Sequence, residues 1–497
     1  DLSGGYGDDT LNGGAGNDFL QAGAGTDTID GGADWDTLSY RWDDSATSGV
    51  TVVLTSAGAG TVIDWAGDTD TFVNIEQVQG TAFADSMTGS DADDELRSDE
   101  GDDIINAGAG DDDIQAGSGN DTIDGGDGRD ALSYHWGEDT QAGLTVTFTG
   151  EGVGSVVEWN GDTDTFVSVE EVRGTIFDDT MNGSEFVDIL IGEEGNDILN
   201  GNGGADQIRG GAGDDQISGG GGDDYLQAGS GADTIDGGDG WDFLAYEWEE
   251  ASNGITVNYT SAGAGTLSDH TGATDTFTGI EGMSGTEFSD TFNGGVGDDA
   301  FRGAGGDDII NGGDGIDWIL YSRDFRHGAT QGILADLSAG TVLDGYNDLD
   351  TITSIENVSG SEFEDTIIGD VVANILNGND GNDDLLGGLG NDILDGGADI
   401  DTALYTGAFG GVEVYLNGNK SRGADGYDRL YNIENVTGSD YNDRLIGDVG
   451  NNILSGGLGD DILKGKGGDD TYYGDAGNDT IRGDAGVDIM FGGLDSD

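Results

Sequence analysis

Residues 201–236 read in nines: Gly201-Asn-Gly-Gly204-Ala-Asp206-Gln-Ile208-Arg, Gly210-Gly-Ala-Gly213-Asp-Asp215-Gln-Ile217-Ser, Gly219-Gly-Gly-Gly222-Asp-Asp224-Tyr-Leu226-Gln and Ala228-Gly-Ser-Gly231-Ala-Asp233-Thr-Ile235-Asp. Each nine has glycine or alanine at positions one and four, Asp at six and a large apolar residue at eight. The glycines supply backbone angles that other residues adopt only at a cost. The closing x-apolar-x triplet is a short strand that buries its middle side chain. One strand and one turn bury nothing alone, but two nines make a coil of about eighteen residues, and stacked coils share a continuous apolar core. Asp at position six then recurs one coil above another. Stacked carboxylates repel unless a cation lies between them. A glycine-rich turn with one carboxylate and several backbone carbonyls suits a hard cation taking six to eight oxygens, which describes calcium better than magnesium.

The nines match GGxGxDxUx, where U is a large apolar residue, and on this motif the chain resembles the RTX (repeats-in-toxin) calcium-binding β-roll proteins. The resemblance implies an all-β, right-handed parallel β-roll or β-solenoid with calcium held between turns of neighbouring coils. It also implies secretion by a type I exporter and an extracellular or cell-surface location.

The totals agree with a solenoid. The chain has 497 residues, formal charge −87, 99 Gly and neither Pro nor Cys. Average usage would give roughly 25 Pro, and proline is excluded from central strands. Without Cys there is no disulfide framework and no thiol chemistry. High net charge with many glycines favours disorder, so the expectation is an ordered calcium-bound state and a disordered calcium-free one. No apolar run approaches eighteen residues. Such acidity disfavours nucleic acid as a partner. The chain opens at Asp1 without Met and stops mid-turn at Asp497, as expected of a piece of a longer protein.

Six tracts of nines are predicted, 1–39, 80–133, 174–245, 285–320, 360–404 and 438–497. The candidate metal ligands are their position-six residues. These are Asp9, Asp18, Asp27 and Asp36 in the first tract and Asp103, Asp112, Asp121 and Asp130 in the second. The third supplies Asp197, Asp206, Asp215, Asp224, Asp233 and Asp242, and the fourth Asp299, Asp308 and Asp317. The fifth supplies Asp383, Asp392 and Asp401, and the sixth Asp461, Asp470, Asp479 and Asp488. Asp85 and Asp94 sit in poorer turns, and Asn374 and Asn452 keep an oxygen but lose the charge. If each ion needs turns one coil apart, the tracts take about 20 calcium ions.

Five β modules, 40–79, 134–173, 246–284, 321–359 and 405–437, separate the tracts. Each starts at a Tyr (Tyr40, Tyr134, Tyr246, Tyr321, Tyr405), and three continue to Trp42, Trp136 and Trp248. Alternating strands such as Val50-Thr-Val52-Val-Leu54 follow, then an acidic turn such as Asp68-Thr-Asp70-Thr-Phe72 or Asp162-Thr-Asp164-Thr-Phe166. Each module closes on Ile-Glu-x-Val or a near variant, for example Ile75-Glu76-Gln-Val78. Period-two alternation makes the modules β as well. They enter and leave in phase with the nines, which predicts wider coils of the same solenoid. The Tyr-x-Trp triplets fit core or edge-capping groups better than glycan platforms.

No catalytic constellation stands out. The acids are spread by period, and His135, His270 and His327 lie in different modules without ligand spacing. The slot before each Asp varies among Asn, Asp, Thr, Ala, Trp and Ile, with no Thr rank of the kind an ice-binding face needs. The expectation is a non-enzymatic, calcium-binding structural solenoid, an element of a surface layer, a matrix or an adhesin rod. Candidate partners are further copies of itself, end to end or side by side, and a cell-surface glycan. The alternative is the calcium-dependent export and folding module of a secreted polysaccharide-modifying enzyme or protease.

Overall fold

The computed structural model describes residues 1–41, 46–135, 141–246 and 251–494. Trp42, Trp136 and Trp248 lie outside them, as does the chain end at Asp497. The chain divides into two units, residues 1–244 with 273–280 and residues 245–272 with 281–497.

In the first unit the nines stack as parallel strands with a register of eighteen. Leu190 lies beside Ile208, and Ile208 beside Leu226, in one sheet. Leu199 lies beside Ile217, and Ile217 beside Ile235, in the other. Successive nines thus alternate between two sheets that face each other across the position-eight side chains. Those six residues are at most 2% exposed, and each contributes about 1.5–3 kcal/mol by leaving water.

A module widens one coil. In the first, β1 (Thr28–Ala33) is followed by β2 (Thr51–Ser56), β3 (Ala59–Ile63) and β4 (Thr69–Val73), and β5 (Ser86–Thr88) opens the next tract. β2, β3 and β4 form an antiparallel meander, with Val52 opposite Val62 and Val62 opposite Asp70. Its outer strands return to the parallel ladder, Phe72 beside Ile29 and Val52 beside Met87. On the opposite sheet only Gln77–Gln79 lies between Thr37–Ser39 and Glu95–Arg97. The second module repeats this plan, with Phe166 beside Ile123 and Val146 beside Met181.

In the second unit the meander of 334–353 joins the sheet holding Ile309–Asn311. The meander of 413–431 joins the opposite sheet, at Ile393–Ala398. The reason is parity. Five nines separate these two modules, and an odd number moves the entry point to the other face. The described residues form no α-helix, only two 3-10 turns at Asp324–His327 and Leu416–Gly418, and no helix long and apolar enough to cross a membrane.

Candidate metal centre

The position-six aspartates do not line the surface. Asp197, Asp206, Asp215 and Asp224 are at most 2% exposed. Each carboxylate accepts, through Oδ1, the backbone N–H of the aspartate one coil earlier. The Asp197 N–H donates to Asp215 at 2.8 Å, Asp206 to Asp224 at 2.8 Å and Asp215 to Asp233 at 2.8 Å. The same bond joins Asp9 to Asp27, Asp18 to Asp36, Asp103 to Asp121, Asp112 to Asp130 and Asp224 to Asp242. In the second unit it joins Asp299 to Asp317, Asp383 to Asp401, Asp461 to Asp479 and Asp470 to Asp488. Oδ1 is thereby used to orient the side chain.

Oδ2 is the reactive half. It is buried without a hydrogen-bond partner at Asp9, Asp18, Asp27, Asp36, Asp103, Asp112, Asp121 and Asp130. The same holds at Asp197, Asp206, Asp215, Asp224, Asp308, Asp317, Asp383, Asp392, Asp401 and Asp461. A buried, unpaired carboxylate oxygen is costly, so its repetition marks places where a ligand completes the site. Glycine carbonyls stand in the same turns. A Cβ on Gly210 would meet the Ala228 carbonyl and Asp215 Oδ2, both at 2.4 Å. A donor set made only of carboxylate and carbonyl oxygens fits a hard cation of the calcium type.

Two candidates have different surroundings. Asp299 Oδ2 accepts the Gly295 N–H at 3.0 Å, and Asp470 Oδ2 accepts the Tyr472 hydroxyl at 2.9 Å. The opening turn of each later tract is closed similarly. In the second tract the Thr81 N–H donates to Asp85 Oδ2 at 2.7 Å, and Thr175, Thr286, Ser361 and Ser439 serve Asp179, Asp290, Asp365 and Asp443 in the same way. Where Asn replaces Asp, an amide N–H supplies the missing positive partner. Asn374 Nδ2 donates to the Glu356 carbonyl at 2.7 Å and Asn452 Nδ2 to the Glu434 carbonyl at 2.8 Å.

The columns do not stop with the tracts. Asp27, Asp121, Asp233, Asp308 and Asp392 donate their N–H groups to Asp70, Asp164, Asp275, Asp350 and Asp428 inside the modules. The other column passes from Asp36, Asp130, Asp317 and Asp401 to Glu76, Glu170, Glu356 and Glu434. Asp70, Asp164 and Asp275 stand in Thr-Asp-Thr-Phe and Glu76, Glu356 and Glu434 in Ile-Glu-x-Val, the others in variants of these, but at spacings of 33 to 43 residues their place in the columns is not readable as a period. The module tyrosines are buried, and Tyr40 and Tyr321 donate to Asp70 and Asp350 at 2.7 and 2.9 Å. His135 and His270 are not among the three-ligand groups of the described residues, and the side chain of His327 lies outside them.

Position five forms a second column of opposite sense. Here the side chain accepts the N–H of the residue one coil later, as Asn196 does from Asp214 and Asp214 from Ala232. This accounts for many of the residues without an acceptor in the slot. Thr26, Trp35, Arg129, Ala232, Trp241, Ile316, Ile400 and Val487 are terminal members that only donate.

Burial pushes the Asp197 carboxyl up to about 8, Asp206 to about 7 and Asp215 to about 6, while the N–H bonds from the previous coil hold them down. Between about pH 4 and these values the calcium-free fold binds more protons than the unfolded chain, so its stability falls as pH rises. Metal-stripped protein should therefore recover β circular dichroism as pH is lowered from 8 to 5. A β signal that weakens over that range would refute the argument.

Parallel coils with a buried carboxylate and backbone carbonyls in most turns define a β-roll built to hold cations. The pattern for the RTX calcium-binding nonapeptide repeat (four copies) matches residues 3–38, 79–141, 173–247, 284–319, 368–403 and 437–497, more than half of the sequence. The chain belongs to that family, whose repeats bind calcium and whose members are typically secreted. No curated protein matches. Among solved structures it is similar to the extracellular lipase LipA from Serratia marcescens, at 15% identity and a TM-score of 0.17, over 40% of this chain and 38% of that one.

Proposed function

We propose that the chain is a calcium-folded structural β-solenoid, acting outside the cell as a surface-layer, matrix or adhesin rod element and carrying no catalytic site. The observation that supports this is the repeated buried Oδ2, spread along both units and not gathered in one cleft. Asp197, Asp215 and Asp233 on one column, and Asp206 and Asp224 on the other, would hold calcium together with the glycine carbonyls of their turns. Bound calcium supplies the positive charge that keeps adjacent coils together. The modules offer strands and loops for side-by-side assembly.

The test is light scattering of the protein at millimolar calcium, which should show calcium-dependent assembly. A strictly monomeric species at all concentrations counts against the assembling rod. A single substitution tests the sites. Asp215→Asn keeps an acceptor for the Asp197 N–H but removes the charge. It should weaken only calcium sites shared with Asp197 and Asp233, because each coil touches its neighbours alone. Uniform weakening along the whole chain in a calcium titration would reject that locality.

A further inference from the structure

We propose that Asp121, Glu158 and Asp164 form a divalent-cation site in which one nonapeptide aspartate is joined by two carboxylates of the second module. Calcium is chosen as the ion on the strength of the rod reading above, whereas the site stands on its own geometry.

One carboxylate oxygen from each of Asp121, Glu158 and Asp164 lies within 4.8 Å of the others, the only such group among the described residues. The three side chains are 1%, 8% and 0% exposed. Asp121 Oδ2 and Glu158 Oε1 have no hydrogen-bond partner. Asp164 is fixed by the Asp121 N–H at 2.9 Å on Oδ1 and by the Tyr134 hydroxyl at 2.5 Å on Oδ2. Burial, with the negative charges of Asp164 and Asp162, pushes the Glu158 carboxyl up to about 8 against a backbone hydrogen bond from Gly119 that holds it down. Three carboxylates converge here from a tract, a turn and a strand. Two of them carry a buried oxygen without a hydrogen-bond partner.

The turn that carries Glu158 is built for this. Its N–H donates to the Asp162 carbonyl, and the Gly161 N–H returns to the Glu158 carbonyl. In the first module the equivalent acid, Asp64, spends Oδ1 on the N–H groups of Ala66 and Asp68. In the second, Asn160 accepts the Asp162 N–H instead at 2.8 Å, which releases the longer Glu158 to reach inward. In the second unit Asp344 Oδ1 takes the N–H groups of Tyr346 and Asp348, and the corresponding Asp308, Asp344 and Asp350 do not close to the same spacing. Asp350 accepts the Asp308 N–H and the Tyr321 hydroxyl, as Asp164 accepts those of Asp121 and Tyr134. All ligands are oxygen, and two to three carboxylates per ion suit calcium.

Native mass spectrometry of the intact chain with calcium alone tests the assignment. Glu158→Gln should bind one ion fewer than the unsubstituted chain. Asp162→Asn, in the same turn but outside the group, should bind the full number. Should Glu158→Gln fail to fold, Glu158→Asp decides, because its shorter arm keeps the charge but withdraws the oxygen from the group and should also lose one ion. An unchanged ion count in the folded variants, as expected if a shared proton bridges the carboxylates, overturns the proposal. Failure of the rod reading would show differently, as no bound calcium and no calcium-dependent β signal in the unsubstituted chain. That result overturns this site too.

Discussion

Stripped of calcium, the protein should show a coil-like circular dichroism spectrum, and millimolar calcium should restore a β spectrum, with magnesium much less effective. The formal charge is −87. About 20 calcium ions would bring roughly +40, placed in the columns where the carboxylates stand closest. Without them, buried Oδ2 atoms at Asp197, Asp206, Asp215 and Asp224 have no partner. The glycine turns then have no ligand to offset the conformational entropy they lose on ordering. Binding energy is folding energy in such a chain, as in other metal-nucleated units. If the chelated protein keeps its full β spectrum and melting temperature, the calcium-scaffold reading is wrong at its root.

Gly222→Ala should cost about 3–5 kcal/mol, the upper end of the range for single substitutions, whereas Gly221→Ala next to it should be neutral or slightly stabilising. Gly222 has φ +128, and a Cβ there would lie 1.5 Å from the Gly204 carbonyl oxygen of the preceding coil. That oxygen belongs to a turn whose Gly204 N–H is tied to the Gly221 carbonyl at 2.8 Å, so it cannot withdraw without opening the coil. Gly221 has nothing closer than the Asn202 oxygen at 3.9 Å, and a compatible Gly-to-Ala change narrows the unfolded ensemble by about 0.4–1 kcal/mol. Calcium titrations of the two variants, followed by circular dichroism, compare them directly. Equal midpoints would show that the close carbonyl stacking does not matter.

The period of nine alone determines most of this protein. It specifies alternation between two sheets, the eighteen-residue register, the apolar core at Ile208, Ile217, Leu226 and Ile235, and the recurrence of Asp at position six, because each follows from local geometry repeated in phase. Even the face on which a module enters is readable from the number of nines before it. Tertiary structure decided what lies across coils. It turned the aspartates inward and divided each carboxylate between a backbone N–H and an open oxygen. It gave the position-five column the opposite sense, so that Trp35, Trp241 and Ile316 are its ends and not exceptions. It also continued the columns through Asp70, Asp164 and Glu170, and brought Glu158 to Asp121 across 37 residues. Such contacts depend on how the antiparallel meander folds back onto the ladder, and no spacing along the chain encodes that distance.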